Sequence, residues 1–328
     1  MKVLVARLAL VLCAGSWSAS AHADQPPATT APSAPVPSPP APAAPPRVPA
    51  DRISYDTTLG FRANPIGFEL QYNIAYRHRL YRSSSLALRD NYVGVTLSPT
   101  ISPSVARMGG TLELRPLTLL TLQGGLHQVG YLGSFRNLQS FPTAAANYSD
   151  TALEAGKEAG RDYPTHGLEV FARSTALAKL GPIVIRDDLT FTYSKLSLLR
   201  DDRVYYHPRV DALVPDQGWF MHNDSDVIYL SDFGLAAGAR ASTTHVFYPD
   251  DVVGGDAAAD NSPMFRVGPL LAYTIFDTPG AQFNKPTFVG IAQWWIQHRY
   301  RTGEDVHQGI PFAAVAFRFE GDLFRSAD

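Results

Sequence analysis

Gly67 to Tyr81 reads GFELQYNIAYRHRLY. Phe68, Leu70, Tyr72, Ile74 and Tyr76 alternate with Glu69, Gln71, Asn73, Ala75 and Arg77, and Arg79 follows. A period of two marks a β-strand, because successive side chains leave the backbone on opposite faces. The run is about twice the usual strand length of five or six residues. Both faces are strongly marked, which leaves two architectures. In a soluble sandwich the oily face turns inward and the charged face meets water. In a membrane barrel oil lies against lipid and charge surrounds the lumen.

Similar alternation recurs in twelve segments, roughly 53–61, 67–81, 86–98, 105–115, 118–133, 165–180, 183–199, 222–233, 235–248, 264–277, 286–300 and 309–320. The pair 222–248 can be read as one long strand or as two joined at Asp232-Phe233-Gly234. Several segments reach the roughly nine to eleven residues that a membrane strand needs. The connections fall into two alternating sets. Ser83-Ser84-Ser85, Pro116-Leu117, Gly181-Pro182, Asp232-Phe233-Gly234 and Thr278–Pro286 are short or rich in turn formers. The intervals 134–164, 200–221, 249–263 and 302–308 are polar and mostly long. Within the first of these, DTALEAGKEAG is a helix candidate that Asp150 can cap and Gly160 can end. It fits either a surface feature or a plug in the mouth.

The chain opens with a basic n-region (Lys2, Arg7), an apolar stretch from Leu8 to Gly15 and a small-x-small site at Ala21-His22-Ala23. This predicts a secretory signal peptide over 1–23. The only cysteine, Cys13, lies inside it, so the mature chain is expected to carry no thiol chemistry. A lipidated Cys13 is disfavoured by Leu12 before it and by the shortened apolar region that would result. Residues 24–51 are dominated by Pro, Ala, Ser and Thr and cannot bury a core, which predicts an extended, disordered tether. Residues 52–328 then form one all-β domain. A formal net charge of −2 gives no argument for nucleic acid, and no apolar run approaches the length of a spanning helix.

Leu189, Phe191 and Tyr193 oppose Asp188, Thr190, Thr192 and Ser194, and Ala313, Val315, Phe317 and Phe319 oppose Ala314, Ala316, Arg318 and Glu320. With recurring aromatics near segment ends, such as Tyr76, Tyr131, Trp219 and Tyr300, this resembles the bacterial outer-membrane β-barrel class from Asp51 to about Leu323. The resemblance rests on architecture and implies a single antiparallel transmembrane β-barrel of about twelve strands. It also implies outer-membrane lipid, lipopolysaccharide and the barrel-assembly machinery as partners. One departure is that Phe324 is followed by Arg325-Ser326-Ala327-Asp328, whereas such barrels usually end on an aromatic residue.

There is no G-x-S-x-G, H-E-x-x-H, C-x-x-C or H-x-S, and no cofactor is expected. His222-Asn223-Asp224-Ser225-Asp226 could offer oxygens to calcium, but the calcium-loop pattern is incomplete and a solvated loop is the favoured reading. The positive signal is arginine. In the barrel register the inward faces carry roughly two cations for each acid. The expected lumen or solute-binding residues are Arg77, Arg79, Arg107, Arg115, Arg240, Arg299 and Arg301. Guanidinium groups bind carboxylates and phosphates in two-point geometry and repel cations. The expected function is a non-enzymatic channel for small anionic solutes. Inward charges can equally pair with one another and fill a closed, structural or adhesive barrel that presents its loops. An outer-membrane hydrolase is the least favoured reading.

Overall fold

The computed structural model describes residues 49–253 and 262–326. The expected signal peptide and nearly all of the expected tether lie outside the described residues. The described part is one closed antiparallel β-barrel of twelve strands. In chain order the wall strands are β1 (Asp51–Ala63), β2 (Gly67–His78), β3 (Tyr92–Leu97) with its short continuation β4 (Thr100–Ile101), β5 (Val105–Leu117), β6 (Leu120–Leu132), β8 (Pro164–Leu180) and β9 (Ile183–Leu196). They continue with β12 (Gln217–Leu230), β13 (Leu235–Phe247), β14 (Met264–Thr274), β15 (Asn284–Gln297) and β16 (Phe312–Arg325). Each pairs with its sequence neighbour in the wall, and β1 pairs with β16 from Arg52↔Arg325 to Ala63↔Ala313, which closes the cylinder. Closure removes the unpaired edges that an open sheet would expose.

Asp232 and Gly234 lie in a tight turn, so 217–247 is two strands, as one of the two sequence readings had it. The start of β1, the end of β16 and the turns 118–119, 181–182 and 231–234 lie at one rim. At the other rim lie two tight turns, 64–66 and 102–104, and four longer connections. That rim is therefore uneven, low over β1–β5 and tall elsewhere.

Polarity is inverted relative to a soluble domain. Leu112 is 66% exposed while Glu113 beside it is 4% exposed, and Val170 is 41% exposed beside Glu169 at 2%. Val315 at 60% and Phe288 at 56% continue the apolar exterior.

Two of the long connections do not stay outside. The segment between β9 and β12 folds into the barrel mouth as a hairpin of β10 (Val204–His207) and β11 (Ala212–Pro215). Strand β7 (Ser140–Phe141), from the connection after β6, pairs with β10. The sequence reading placed 200–221 as an exterior loop. It misses the inward fold because VYYH and ALVP are each only four residues long, too short for a periodicity signal. Their side chains meet the loop-side lumen wall. Tyr205, Ala212 and Val214 pack with Val129, Tyr131, Leu196, Phe220, Trp295 and Phe312 in one dry cluster.

Helix α1 (Asp150–Glu158) lies over this hairpin, with Leu153 packed among Phe141, Val204, Tyr206 and Leu213. Its N-cap is Ser149, whose Oγ accepts from the Ala152 amide at 3.1 Å. Asp150, the residue expected to cap, sits one position later and is engaged elsewhere.

Candidate functional site: the plugged lumen

The interior divides into three parts, each traceable to strand alternation. Toward the turn rim, inward-facing charges form a lattice. Arg77 Nε meets Glu113 at 3.0 Å, and Thr96 donates to the same carboxylate at 2.6 Å. Arg115 meets Asp90 at 2.6 Å. Arg240 bridges Asp226 at 2.7 Å and Asp224 at 3.1 Å, and Arg186 reaches Asp226 at 2.8 Å. Arg173 meets Asp188 at 2.7 Å.

Asp224 and Asp226 lie in the 222–233 segment expected as a strand, where the sequence favours a solvated stretch over a metal site. They sit in the middle of β12, so alternate residues face the lumen and the others face out. A three-residue group suited to a metal is absent among the described residues.

The second part holds the hairpin in place. Asp211, in the β10–β11 turn, accepts from Arg301 Nη2 at 3.0 Å and from the Tyr206 hydroxyl at 2.8 Å, and it faces His298 Nε2 at 3.2 Å. Burial alone would raise the Asp211 pKa, but His298 and Arg301 outweigh it and hold the carboxyl well below the usual range. Arg301 also reaches Asp150 of α1 at 3.1 Å and Asn64 of the low rim at 2.6 Å. One guanidinium therefore ties hairpin, helix and rim together. Arg299 donates to the carbonyls of Ala144 and Ala145 at 3.0 and 2.7 Å.

The third part is a cleft of about 660 Å³ between the hairpin tip and the β1–β5 wall. Room exists because Gly60, Ala314 and Ala316 face it where larger side chains would fill it. Four arginines line it, Arg62, Arg107, Arg136 and Arg209, against two carboxylates, Glu69 and Asp150. Arg209 at the tip pairs with Glu69 at 3.1 Å, and Arg62 donates to the Arg209 carbonyl at 3.4 Å. Arg107 is ion-paired with Glu169, which also meets His207 Nε2 at 3.3 Å. Burial lowers the His207 pKa against the opposing pull of Glu169.

Of the seven arginines expected from sequence, only Arg107 lines this cleft. Arg77, Arg115 and Arg240 belong to the turn-side lattice. Arg79 lies beyond the end of β2, where its amide donates to the Ala50 carbonyl at 2.8 Å. Arg299 and Arg301 lie past the end of β15. Arg209 and Arg136, missed from sequence, sit in connections with no periodicity to orient them. Only the neighbouring HPRVD, with charge beside apolar residues, hinted at an interior role.

Apolar side chains out, ion pairs in and no free edge make a surface that suits hydrocarbon and not water. The chain is a β-barrel of the outer-membrane class. No family model matches it, and no curated protein does either.

Among solved structures, it is similar to the NanC porin at 6% identity and TM-score 0.39, over 82% of this chain and 100% of that one. LpxR from Salmonella typhimurium aligns at 8% identity and TM-score 0.36, over 82% of this chain and 99% of that one. The translocator domain of the autotransporter NalP from Neisseria meningitidis aligns at 8% identity and TM-score 0.34, over 82% and 86%. At these identities no residue of theirs maps onto a residue here.

Proposed function

We propose that this barrel is a gated passage for small organic anions across the outer membrane, with the inward-folded hairpin as its gate. The observation that carries this reading is the cleft beside the hairpin tip, lined by four arginines. Among the described residues Arg107, Arg136 and Arg209 pair with Glu169, Glu154 and Glu69, while Arg62 meets only backbone carbonyls. Its wall of small and apolar residues, including Ala314, Ala316 and Phe312, suits the body of such a solute while the guanidiniums take its carboxylate. The proposal includes export by a cleaved signal peptide and insertion by the barrel-assembly machinery, with lipopolysaccharide around the loop rim.

Planar-bilayer recording under a salt gradient tests it. The expected result is rare openings in the native protein and frequent ones when 204–215 is replaced by a short Gly-Ser link. The reversal potential should show anion preference, and Arg209→Glu with Arg62→Glu should weaken it. Silence from both native and gate-replaced protein, or cation preference, defeats the reading. A closed structural barrel is the second reading. The dry packing of Tyr205 and Val214, both at 0% exposure, favours it, and silence in both forms would establish it.

A further inference from the structure

On the lipid-facing side of β9, β12 and β13 the apolar exterior is interrupted. Asp187, Asn223 and Ser225 all point outward, since their neighbours Arg186, Asp188, Asp224 and Asp226 point into the lumen. They form a network. Ser225 Oγ donates to Asp187 at 2.6 Å, and Asn223 Nδ2 donates to the same carboxylate at 3.2 Å.

The depth of this network is set by the aromatics on the same face of β12. Trp219, packed on Tyr193 at 5.3 Å, stands toward the loop rim, and Tyr229, 52% exposed, stands toward the turn rim. Asn223 and Ser225 lie between them, each about 14 Å or more along the strand from either ring. Head groups lie at the level of such rings, so the network sits in hydrocarbon.

A carboxylate in hydrocarbon is costly unless every lone pair is satisfied or a partner covers it. Asp187 offers about four acceptor sites. It receives three hydrogen bonds from two donor groups, Ser225 Oγ and Asn223 Nδ2, the latter shared between both oxygens. No cation lies within ion-pairing distance of it among the described residues. It is also the only carboxylate facing lipid between the girdles among those residues. Thr243, directly across from Asn223, has a hydroxyl with no hydrogen-bond partner among the described residues. The patch therefore holds an unused acceptor on one strand and an unused donor two strands away.

We propose that this face is where two copies of the chain associate in the plane of the membrane. The patch complements itself. About a two-fold axis, the Thr243 hydroxyl of one copy can donate to Asp187 of the other, and the reverse contact follows by symmetry. Beside it, β13 presents Ala237, Ala239 and Ala241 outward, so two barrel walls can approach without long side chains holding them apart. A lipid head group does not reach this depth, and a hydrocarbon tail supplies no donor.

The full-length protein in native outer membranes and in lipid nanodiscs provides the test. Ala241→Cys should yield a doubled-mass band with a short bis-maleimide, while Val95→Cys, on the outward face of the opposite wall strand β3, should not. The chain with no added cysteine gives the background. Light scattering in nanodiscs should show a dimer for the native chain. Asp187→Leu with Ser225→Ala should weaken association at least about tenfold, and Asp187→Asn, which keeps the hydrogen bonds, should weaken it less. Heat-modifiable gel mobility separates lost association from lost folding. The proposal is overturned if the native chain is monomeric in lipid, if Ala241→Cys and Val95→Cys cross-link equally, or if the adduct at this face contains a different protein.

Discussion

Near the loop rim, Tyr205, Leu213 and Val214 are at 0% exposure and Asp211 is at 2%, so the charge of Asp211 is held by protein alone. Toward the turn rim, the side chains of Arg77, Arg186 and Arg173 keep 25%, 34% and 43% exposure although each is ion-paired. The same pairing of arginine with carboxylate therefore works in two media. In the dry half, removing a partner strands a charge. In the wetter half the arginines keep contact with lumen water even though their carboxylates, such as Glu113 at 4% and Asp188 at 9% side-chain exposure, are buried. The hairpin is therefore held by a few buried pairs, and the lattice below sets the polarity of the lumen more than its stability.

The largest effect is expected at Asp211. Asp211→Ala leaves Arg301 and His298 buried without their counter-charge and should destabilise the hairpin by about 3–5 kcal/mol. Hydrogen exchange should show protection lost over 204–215 while the wall strands stay protected, and bilayer recordings should show more frequent opening. Undiminished protection of 204–215 would mean that the apolar cluster alone holds the gate.

This contrast was only half legible in the sequence. Strand alternation specifies the wall, because lipid on one side and polar groups on the other force a period of two through residues such as Leu112 and Glu113. All twelve wall strands overlap the segments that period marks, with boundaries off by up to six residues, as at the start of β3. Alternation also orients Arg77, Arg115 and Arg240 inward but says nothing of their partners, because a period of two fixes the face of a side chain and not which strand stands across from it. The hairpin was not legible. Segments of four residues carry no period, and their apolar character is explained only by contact with Val129 and Trp295 on strands distant in sequence. Arg209 and Asp211 were hidden for the same reason.

Acid provides a second, smaller probe of the dry half. His207 titrates with a lowered pKa, so the folded hairpin prefers it neutral. Its contribution is fully present above the unfolded value of 6.5 and fades as pH falls below that toward the folded value. The slope is at most about 1.4 kcal/mol per pH unit. The groups facing His207 are Glu169, Arg107 and Arg209, and the carboxylate partly offsets the effect. Asp211 works in the other range. Its depressed pKa stabilises the fold above the unfolded value of 3.8 and adds no slope between pH 5 and 7. Gate opening should therefore increase between pH 6.5 and 5, and His207→Gln should flatten that rise. A pH response unchanged in His207→Gln would place the sensing group elsewhere.

The smallest effect is expected in the wet half, at Arg173. Its guanidinium is bound to Asp188 in two-point geometry, which in a dry site would make it costly to remove. Here the arginine side chain is 43% exposed, and Asp188 keeps a second donor in Thr175 at 3.2 Å. The Asp188 side chain itself is only 9% exposed, so the carboxylate that remains relies on Thr175 and on water entering the space the arginine leaves. Arg173→Ala should therefore cost about 1–2 kcal/mol, below the cost at Asp211. Denaturant unfolding of the lipid-embedded barrel measures it against Asp211→Ala under the same conditions. Equal costs at the two sites would show that the turn-side lattice is as dry as the gate, and the lumen would then be closed along its whole length and not only at its mouth.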